Sequence, residues 1–412
     1  MTPLAHITVL DLSRILAGPW CSQLLGDMGA TVLKIEHPER GDDTRGWGPP
    51  FLKDREGDDT AEAAYYLGVN RNKLSVAIDF TTPEGRAIVH ALAAQADVFL
   101  ENYKVGGLKK YGLDYASVAA ANPGIVYCSV TGFGQNGPYA SSAGYDFMIQ
   151  GMGGLMSITG ERDDRPGGGP QKVGVAVSDI MTGLYATIGI QSALIHRDRT
   201  GVGQHIDMAL LDTQVSMIAN LNMNYLISGA VPGRMGNAHA NIVPYEAFAC
   251  ADGYIILAVG NDSQFAKFCQ IAGRPDIAAD PRHRSNADRV RARDELVPTL
   301  AAIIKTRTMH DWIASCDAAQ VPCGPINTLD QVFADPQVVH RGMRIDMSHP
   351  LAGTVPQVVN PIKFSATPAE YRHPPPLLGQ HTAQVLRERL GYDRASIAAL
   401  AGRGIIAVRD DD

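Results

Sequence analysis

The sequence predicts an α/β protein in which a parallel sheet is covered by helices and a smaller α+β domain follows. Three observations carry this. Short apolar runs alternate with amphipathic stretches over the first 135 residues; a glycine-rich connection then leads into a long apolar helix; and past residue 225 the alternation gives way to a strand pair with separate helices.

Strands are expected at residues 7–13 (ITVLDLS), 30–36 (ATVLKIE), 74–80 (LSVAIDF), 97–103 (DVFLENY) and 124–130 (GIVYCSV), each short, apolar and bounded by Gly, Asp or Pro. Between them GPWCSQLLGDMG and TPEGRAIVHALAAQA have helical spacing, and Pro83 falls in a first turn, where a missing N–H does no harm. Residues 132–174 are loop-rich, with Gly151, Gly153, Gly154 and a run at 167–169, and long glycine-rich connections in compact domains are functional or mobile. Residues 179–196 are apolar nearly all round and read as a buried helix that begins at Asp179. GVGQHIDMALLDTQVSMIANLNMNYLI reads as a strand entering a second long helix. The strand pair EAFAC and YIILAV and the helices DSQFAKFCQIAG and ELVPTLAAIIKT make up the smaller domain. The chain is therefore divided at 1–225, 226–330 and 331–412, the last part holding a strand (TVPQVVNPIKF), a proline turn at 374–376 and a helix (HTAQVLRERL) able to return to the first domain.

With 412 residues, 45% hydrophobic and 19% charged, the composition is that of a globular protein with a large interior. A net charge of −7 argues against a nucleic-acid partner, which calls for a basic excess to displace counterions. The six cysteines contain no CxxC pair, so they suggest neither a metal site nor a disulfide framework. No basic n-region with an apolar core opens the sequence and no uninterrupted apolar stretch of spanning length occurs, so a cytoplasmic protein without a membrane partner is expected. GxxxxGK[ST], HExxH and GxSxG are absent, and the GVG at 201–203 lacks the third glycine of a dinucleotide fingerprint.

Asp179 stands where a loop meets a helix. The positive helix end should keep it ionised, and a poorly solvated carboxylate can attack an activated carbonyl; position alone favours a plain helix cap. Tyr145, in the triplet Gly144, Tyr145 and Asp146, is either a hydrogen-bond donor to a developing oxyanion or a core aromatic. Arg71, Lys73, Lys104, Lys109 and Lys110 lie at strand ends, where they form either a phosphate site or a solvated face.

The blocks RILAGPWCSQLLGDMGATVLKIE, GDDTRGW, NRNKLSVAIDF, DVFLENY, GFGQNGPY, GYD, VAVSDIMTGLYA and TGVGQHIDMALLD, in this order, resemble the family III CoA-transferases, the CaiB/BaiF group. The likeness runs down to PLLGQHT near the end of the chain. It implies a Rossmann-like large domain built from both ends of the chain, a smaller inserted domain and an interlocked homodimer. It further implies that Asp179 is the nucleophile, passing through a mixed anhydride and an aspartyl-CoA thioester. Coenzyme A esters are then substrates, and no permanently bound cofactor or metal is called for. Carried over residue by residue, the CoA contacts would be Ile15, Leu16, Ala17, His37, Ile78, Asn102, Tyr103 and Lys110, with His37 and Lys110 standing where some members have arginine. Tyr145, Arg45, Trp47, Tyr65 and His239 are the candidates for the carboxylic substrate, Arg45 and His239 through a distal carboxylate.

Leu16 replaces the glutamine of oxalate-using members, and GNAHANIVPY replaces their four-glycine run, which disfavours oxalate and formate. IVPYEAF, DGYIILAVGND, CGPINTL and HPPPLLGQHT look most like the branch that moves CoA from succinyl-CoA to glutarate or related dicarboxylates. Two alternatives stand beside this reading. A 2-methylacyl-CoA racemase on the same fold would use a histidine where this chain has Tyr145, and a phenol with an ordinary pKa of about 10 is a poor base near neutrality. The other is a CoA-binding protein without catalysis.

Overall fold

A computed structural model describes residues 2–409 of the chain. They form two compact units, one of residues 2–155, 173–223 and 339–409 and the other of residues 156–172 and 224–338. The division at 225 and 330 drawn from the sequence omits the excursion of 156–172 into the second unit, because that glycine-rich segment carries no periodic pattern to assign it.

The first unit is built on six parallel strands, β1 (Thr8–Asp11), β2 (Thr31–Glu36), β3 (Lys73–Ile78), β4 (Val98–Glu101), β5 (Val126–Thr131) and β6 (Gln204–Ala209). Their order across the sheet is β3-β2-β1-β4-β5-β6, with a short final strand, Ile406–Ala407, antiparallel to β3 at the edge. The order reverses direction between β1 and β4. That is the switch point at which doubly wound sheets leave a crevice beyond their strand ends.

Alternation along the strands explains the two layers. Leu10, Leu33, Val76, Phe99 and Tyr127 face helix α2 (Pro83–Ala93) through Ile88 and Leu92, and helix α3 (Tyr115–Ala121) through Val118. Val9, Val32, Val98, Val126 and Cys128 face the other way, against α1 (Ala17–Asp27) and α5 (Val177–Thr200), α4 being Asp146–Met152. Strands buried on both faces are predominantly apolar, as β1 to β5 are, and the buried charges Asp11, Lys34, Glu36 and Lys73 on them are paired.

The long α5 departs from its expected burial. Ala186, Ile190, Ala193 and Leu194 are buried, yet Leu184, Tyr185, Ile188 and Ile195 are exposed. The second long helix is also interrupted: α6 (Leu210–Met217) is followed by a break at Ala219, whose φ is +52°, before Asn220–Ser228. Two hairpins were not legible as such, Phe51–Lys53 with Asp59–Ala63 and Arg344–His349 with Gly353–Val358; the latter contains the strand expected from TVPQVVNPIKF.

In the second unit, Tyr245–Ala249, Tyr254–Ala258 and Cys323–Pro325 form an antiparallel sheet. Helices Asp262–Ile271, Arg293–Ile304 and Met309–Ala318 close its core around Phe265, Phe268 and Trp312. No helix among the described residues is long and apolar enough to cross a membrane.

Candidate active site

At the C-terminal ends of the central strands lies a cavity of about 420 Å3, lined by Ile15, Leu16, Ala17, Asn102, Tyr103, Gly144, Tyr145 and Asp179 among others. A second, of about 300 Å3, is lined by His37, Arg40, Ile78, Phe80, Lys110 and Tyr111. Arg14, Tyr103 and Gly107 line both, so the two adjoin. Every residue expected at the CoA site thus borders one of these cavities, five on the first and four on the second, Tyr103 being on both.

The β1 turn is fixed tightly. Ile15 has a φ of +73°, a left-handed conformation that a β-branched residue adopts only under constraint. The constraint is visible: the Asp42 carboxylate accepts the Ile15 N–H at 3.2 and 3.3 Å, and the Asn102 amide brackets Arg14, accepting its N–H at 2.9 Å and donating to its carbonyl at 2.7 Å. Asp42 is in turn bonded to the buried Lys34 at 2.8 Å. Burial works against the Asp42 charge, but Lys34 and the Thr44 bonds outweigh it and hold the carboxyl at about 2.

Asp179 is the third residue of α5, two residues inside the helix and not its cap. The amides at this helix end are already taken. Asp146 Oδ1, reaching over from the start of α4, accepts the Ser178 N–H at 2.8 Å and the Asp179 N–H at 3.3 Å, while Gln150 Nε2 holds its other oxygen at 2.7 Å. The expectation that the helix end keeps Asp179 firmly ionised is therefore corrected. Burial, then repulsion from Asp146, lifts the Asp179 carboxyl to about 7.

The Gly132 and Gly144 backbones cross behind this point. A Cβ on Gly144 would sit 2.3 Å from the Gly132 Cα, so neither position admits a side chain. Tyr145 is 62% exposed and borders the cavity, which removes the core-aromatic alternative. Tyr65 is close enough to feel Asp179: burial first, then Asp179 and Asp146, raise its phenol to about 12, so it stays a hydrogen-bond donor, and Trp47 packs edge-on against it at 5.2 Å.

Of the substrate candidates in the first unit, Tyr145 lines this cavity and Arg45, Trp47 and Tyr65 do not. Arg45 is buried, with Nε and Nη2 on Glu36 at 2.9 and 3.0 Å, Nη1 on Glu62 at 2.9 Å, and further Nη2 bonds to Tyr66 and the Pro376 carbonyl. It is a structural clamp with no free fork to offer a carboxylate. His239 belongs to the second unit, where its ring packs against Tyr245 and its Nδ1 accepts the Asn241 N–H at 3.0 Å. Of the proposed phosphate cations, Arg71 is buried on Asp27 and Lys73 on Asp11, the Pro19 carbonyl and Asn70, which leaves Lys110 and Lys104 on the cavities. Strand-end position alone did not distinguish core ion pairs from exposed cations. The role of Asp146 was missed, although it stands in the triplet singled out for Tyr145, because a cap supplied from another segment leaves no local spacing.

Comparison with known proteins completes the picture. The model of CoA-transferase family III matches residues 4–382. The chain belongs to this family. A relative from Agrobacterium fabrum, a succinate–glutarate CoA-transferase, is 53% identical, the match covering 96% of this chain and 97% of the relative. The human succinyl-CoA:glutarate CoA-transferase is 42% identical over 98% of this chain and 90% of its own length. The crystal structure of a CaiB/BaiF family protein from Brucella suis superposes with a TM-score of 0.83 at 52% identity, covering 94% of this chain and 99% of that one. The chain is thus a family III CoA-transferase, an enzyme acting on CoA thioesters, on a mixed α/β fold with a predominantly parallel large sheet.

Proposed function

We propose that this enzyme moves CoA from succinyl-CoA to glutarate or a closely related dicarboxylate, with Asp179 as the covalent carrier. The observation that supports it most directly is the placement of Asp179 on a cavity that adjoins a second one edged by Arg14, His37, Arg40 and Lys110. The phosphates of a CoA ester match those cations, and its pantetheine arm would extend past Tyr103 toward Asp179.

In the first step the ionised Asp179 attacks the thioester carbonyl and the C–S bond breaks, giving a mixed anhydride and CoA thiolate. The thiolate attacks the aspartyl carbonyl and expels succinate, leaving an aspartyl-CoA thioester. Glutarate attacks that thioester, the thiolate departs again, and its attack on the glutaryl carbonyl of the new anhydride returns Asp179 and gives glutaryl-CoA. Each step exchanges one acyl bond for another, so no redox partner is required. Tyr145, on the cavity wall, and Tyr65, whose phenol stays protonated beside Asp179, are the donors assigned to the developing oxyanions.

The dicarboxylate assignment is supported by the two relatives at 53% and 42% identity, whose names carry succinate or succinyl-CoA and glutarate. Turnover of succinyl-CoA with glutarate, mesaconate, citramalate, itaconate, oxalate and the monocarboxylate acetate as rival acceptors tests it; glutarate is expected to give the highest kcat/KM, and preference for the monocarboxylate would overturn it. The racemase alternative finds no histidine among the residues lining the Asp179 cavity. An interlocked homodimer is part of the same reading, since Leu184, Tyr185, Ile188 and Ile195 on α5 form an exposed apolar face suited to a second copy. Light scattering should give twice the chain mass.

A further inference from the structure

Beside the Asp179 cavity, on the far side of the turn after β4, lies a polar cluster that the transfer chemistry does not use. Glu101, the last residue of β4, is buried, and its Oε2 accepts the Tyr103 N–H at 2.8 Å. Its register partner on β5 is Ser129, whose hydroxyl bonds to the carboxyl and whose Oγ lies 2.9 Å from Nε2 of His205 on β6. The His205 ring stacks on Tyr115 at 5.0 Å and meets Tyr127 edge-on at 5.5 Å, so it cannot turn away. A small cavity of about 50 Å3 runs along the cluster.

What this cluster holds is the turn that forms one wall of the CoA cavities. Tyr103 borders both, and Asn102 brackets Arg14, the residue before Ile15 and Leu16. We propose that Glu101, braced by Ser129 and His205, is a positioning residue for the CoA ester: it fixes the Asn102–Tyr103 turn and, through Asn102, the Arg14–Leu16 turn that line the binding cavity. This rests on the reading of those cavities as the CoA-ester site.

The chain of bonds has a direction. With Glu101 neutral, its O–H donates to Ser129 Oγ, the Ser129 O–H donates to His205 Nε2, and the remaining carboxyl oxygen accepts the Tyr103 N–H; every group is satisfied. Ionised, Glu101 can only accept. The Ser129 hydroxyl must then turn toward it, and Nε2 needs a proton of its own to stay bonded. The surroundings favour the first arrangement. Burial lifts the Glu101 carboxyl to about 7 against its bonds from Ser129 and the Tyr103 amide, while burial lowers His205 despite Asp207. The other groups facing the cluster are Cys128 and Tyr127 from β5, Asp207 from β6, Lys104 from the turn, and Asp114 and Tyr115 from the start of α3. Of these only Lys104 brings a positive charge, while the Tyr103 N–H binds an ionised carboxylate more strongly than a neutral carboxyl, so protonation of Glu101 loosens the turn.

Steady-state kinetics with succinyl-CoA varied at saturating acceptor, from pH 6 to 8.5, tests this in Glu101→Ala, Glu101→Gln and Lys110→Ala. Glu101→Ala should raise the KM for the CoA ester about tenfold with kcat changed less than about threefold. Glu101→Gln, whose amide oxygen can accept from Tyr103 without titrating, should keep the KM within about threefold of the wild type. In the wild type that KM should climb below neutral pH, as Glu101 is protonated, and in Glu101→Gln it should stay flat. Should Glu101→Ala not fold, the contrast in pH dependence between wild type and Glu101→Gln decides alone. A raised KM in Lys110→Ala beside a wild-type KM in Glu101→Ala, or a Glu101→Gln profile that follows the wild type, would overturn the proposal; unchanged KM in both Lys110→Ala and Glu101→Ala would overturn the cavity assignment together with it.

Discussion

The chemistry at Asp179 depends on how one carboxylate is denied the help its position offers. A carboxylate in the first turn of a helix is ordinarily stabilised by the free amides there. Here Asp146 accepts the Ser178 and Asp179 amides, so Asp179 is left with burial and a like charge, and its carboxyl sits at about 7. In the proposed mechanism the ionised form attacks, so kcat/KM should fall as pH drops through about 7, close to tenfold per unit below it. Asp146→Asn keeps an oxygen for the cap but removes the charge, and the acidic limb of that profile should move to lower pH; a limb that stays in place would show that burial alone sets it. The same displacement has a stability consequence. A carboxyl raised in the folded state costs stability wherever it is ionised, fully above about 7 and progressively less toward its ordinary value near 4. Asp179→Asn should therefore raise Tm at pH 8, with a gain that fades by pH 4 to 5. The sequence marked Asp179 as chemically competent, but its protonation could not be read there, because the cap comes from a residue 33 positions away.

At the scale of elements, the site is held by turns that tolerate almost no substitution. Gly132 and Gly144 cross so closely that Gly144→Ala would place a Cβ 2.3 Å from the opposing Cα. The backbones must separate, with a loss of about 1–3 kcal/mol in stability, and a larger fractional loss of kcat than of secondary structure is expected by activity and circular dichroism. The central strands were legible because runs buried on both faces are short, apolar and bounded by turn residues: the expected 30–36 and 124–130 correspond to Thr31–Glu36 and Val126–Thr131. Helix α5 was legible as a helix but not in its exposure. A helix apolar all round reads as buried, and four of its large side chains lie uncovered in the single chain. The break at Ala219 escaped because alanine carries no sign of a positive φ.

Across the molecule, buried ion pairs join distant parts of the chain beneath the site. Arg45 binds Glu36, Glu62, Tyr66 and the Pro376 carbonyl, tying β2, a hairpin and the C-terminal return into one knot. Burial would raise Glu36, yet the charge and bonds of Arg45 outweigh it and keep the carboxyl below its usual range. Arg45→Met leaves two buried carboxylates without their partner, which costs about 3–5 kcal/mol; denaturant unfolding should show that loss, whereas a specific rise in the acceptor KM at unchanged stability would restore Arg45 as a substrate ligand. Such an ion pair looks the same as a substrate arginine when only the residue type and its neighbours in sequence are known. Family-wide order of motifs was readable throughout, and it located Asp179 where composition favoured a simple cap. The most direct measurement is peptide mass analysis of enzyme incubated with succinyl-CoA without acceptor and quenched in acid. A CoA thioester on the peptide containing Asp179, absent in Asp179→Ala and discharged by glutarate, is the expected result; an unmodified peptide together with full turnover by Asp179→Ala would contradict covalent transfer at this residue.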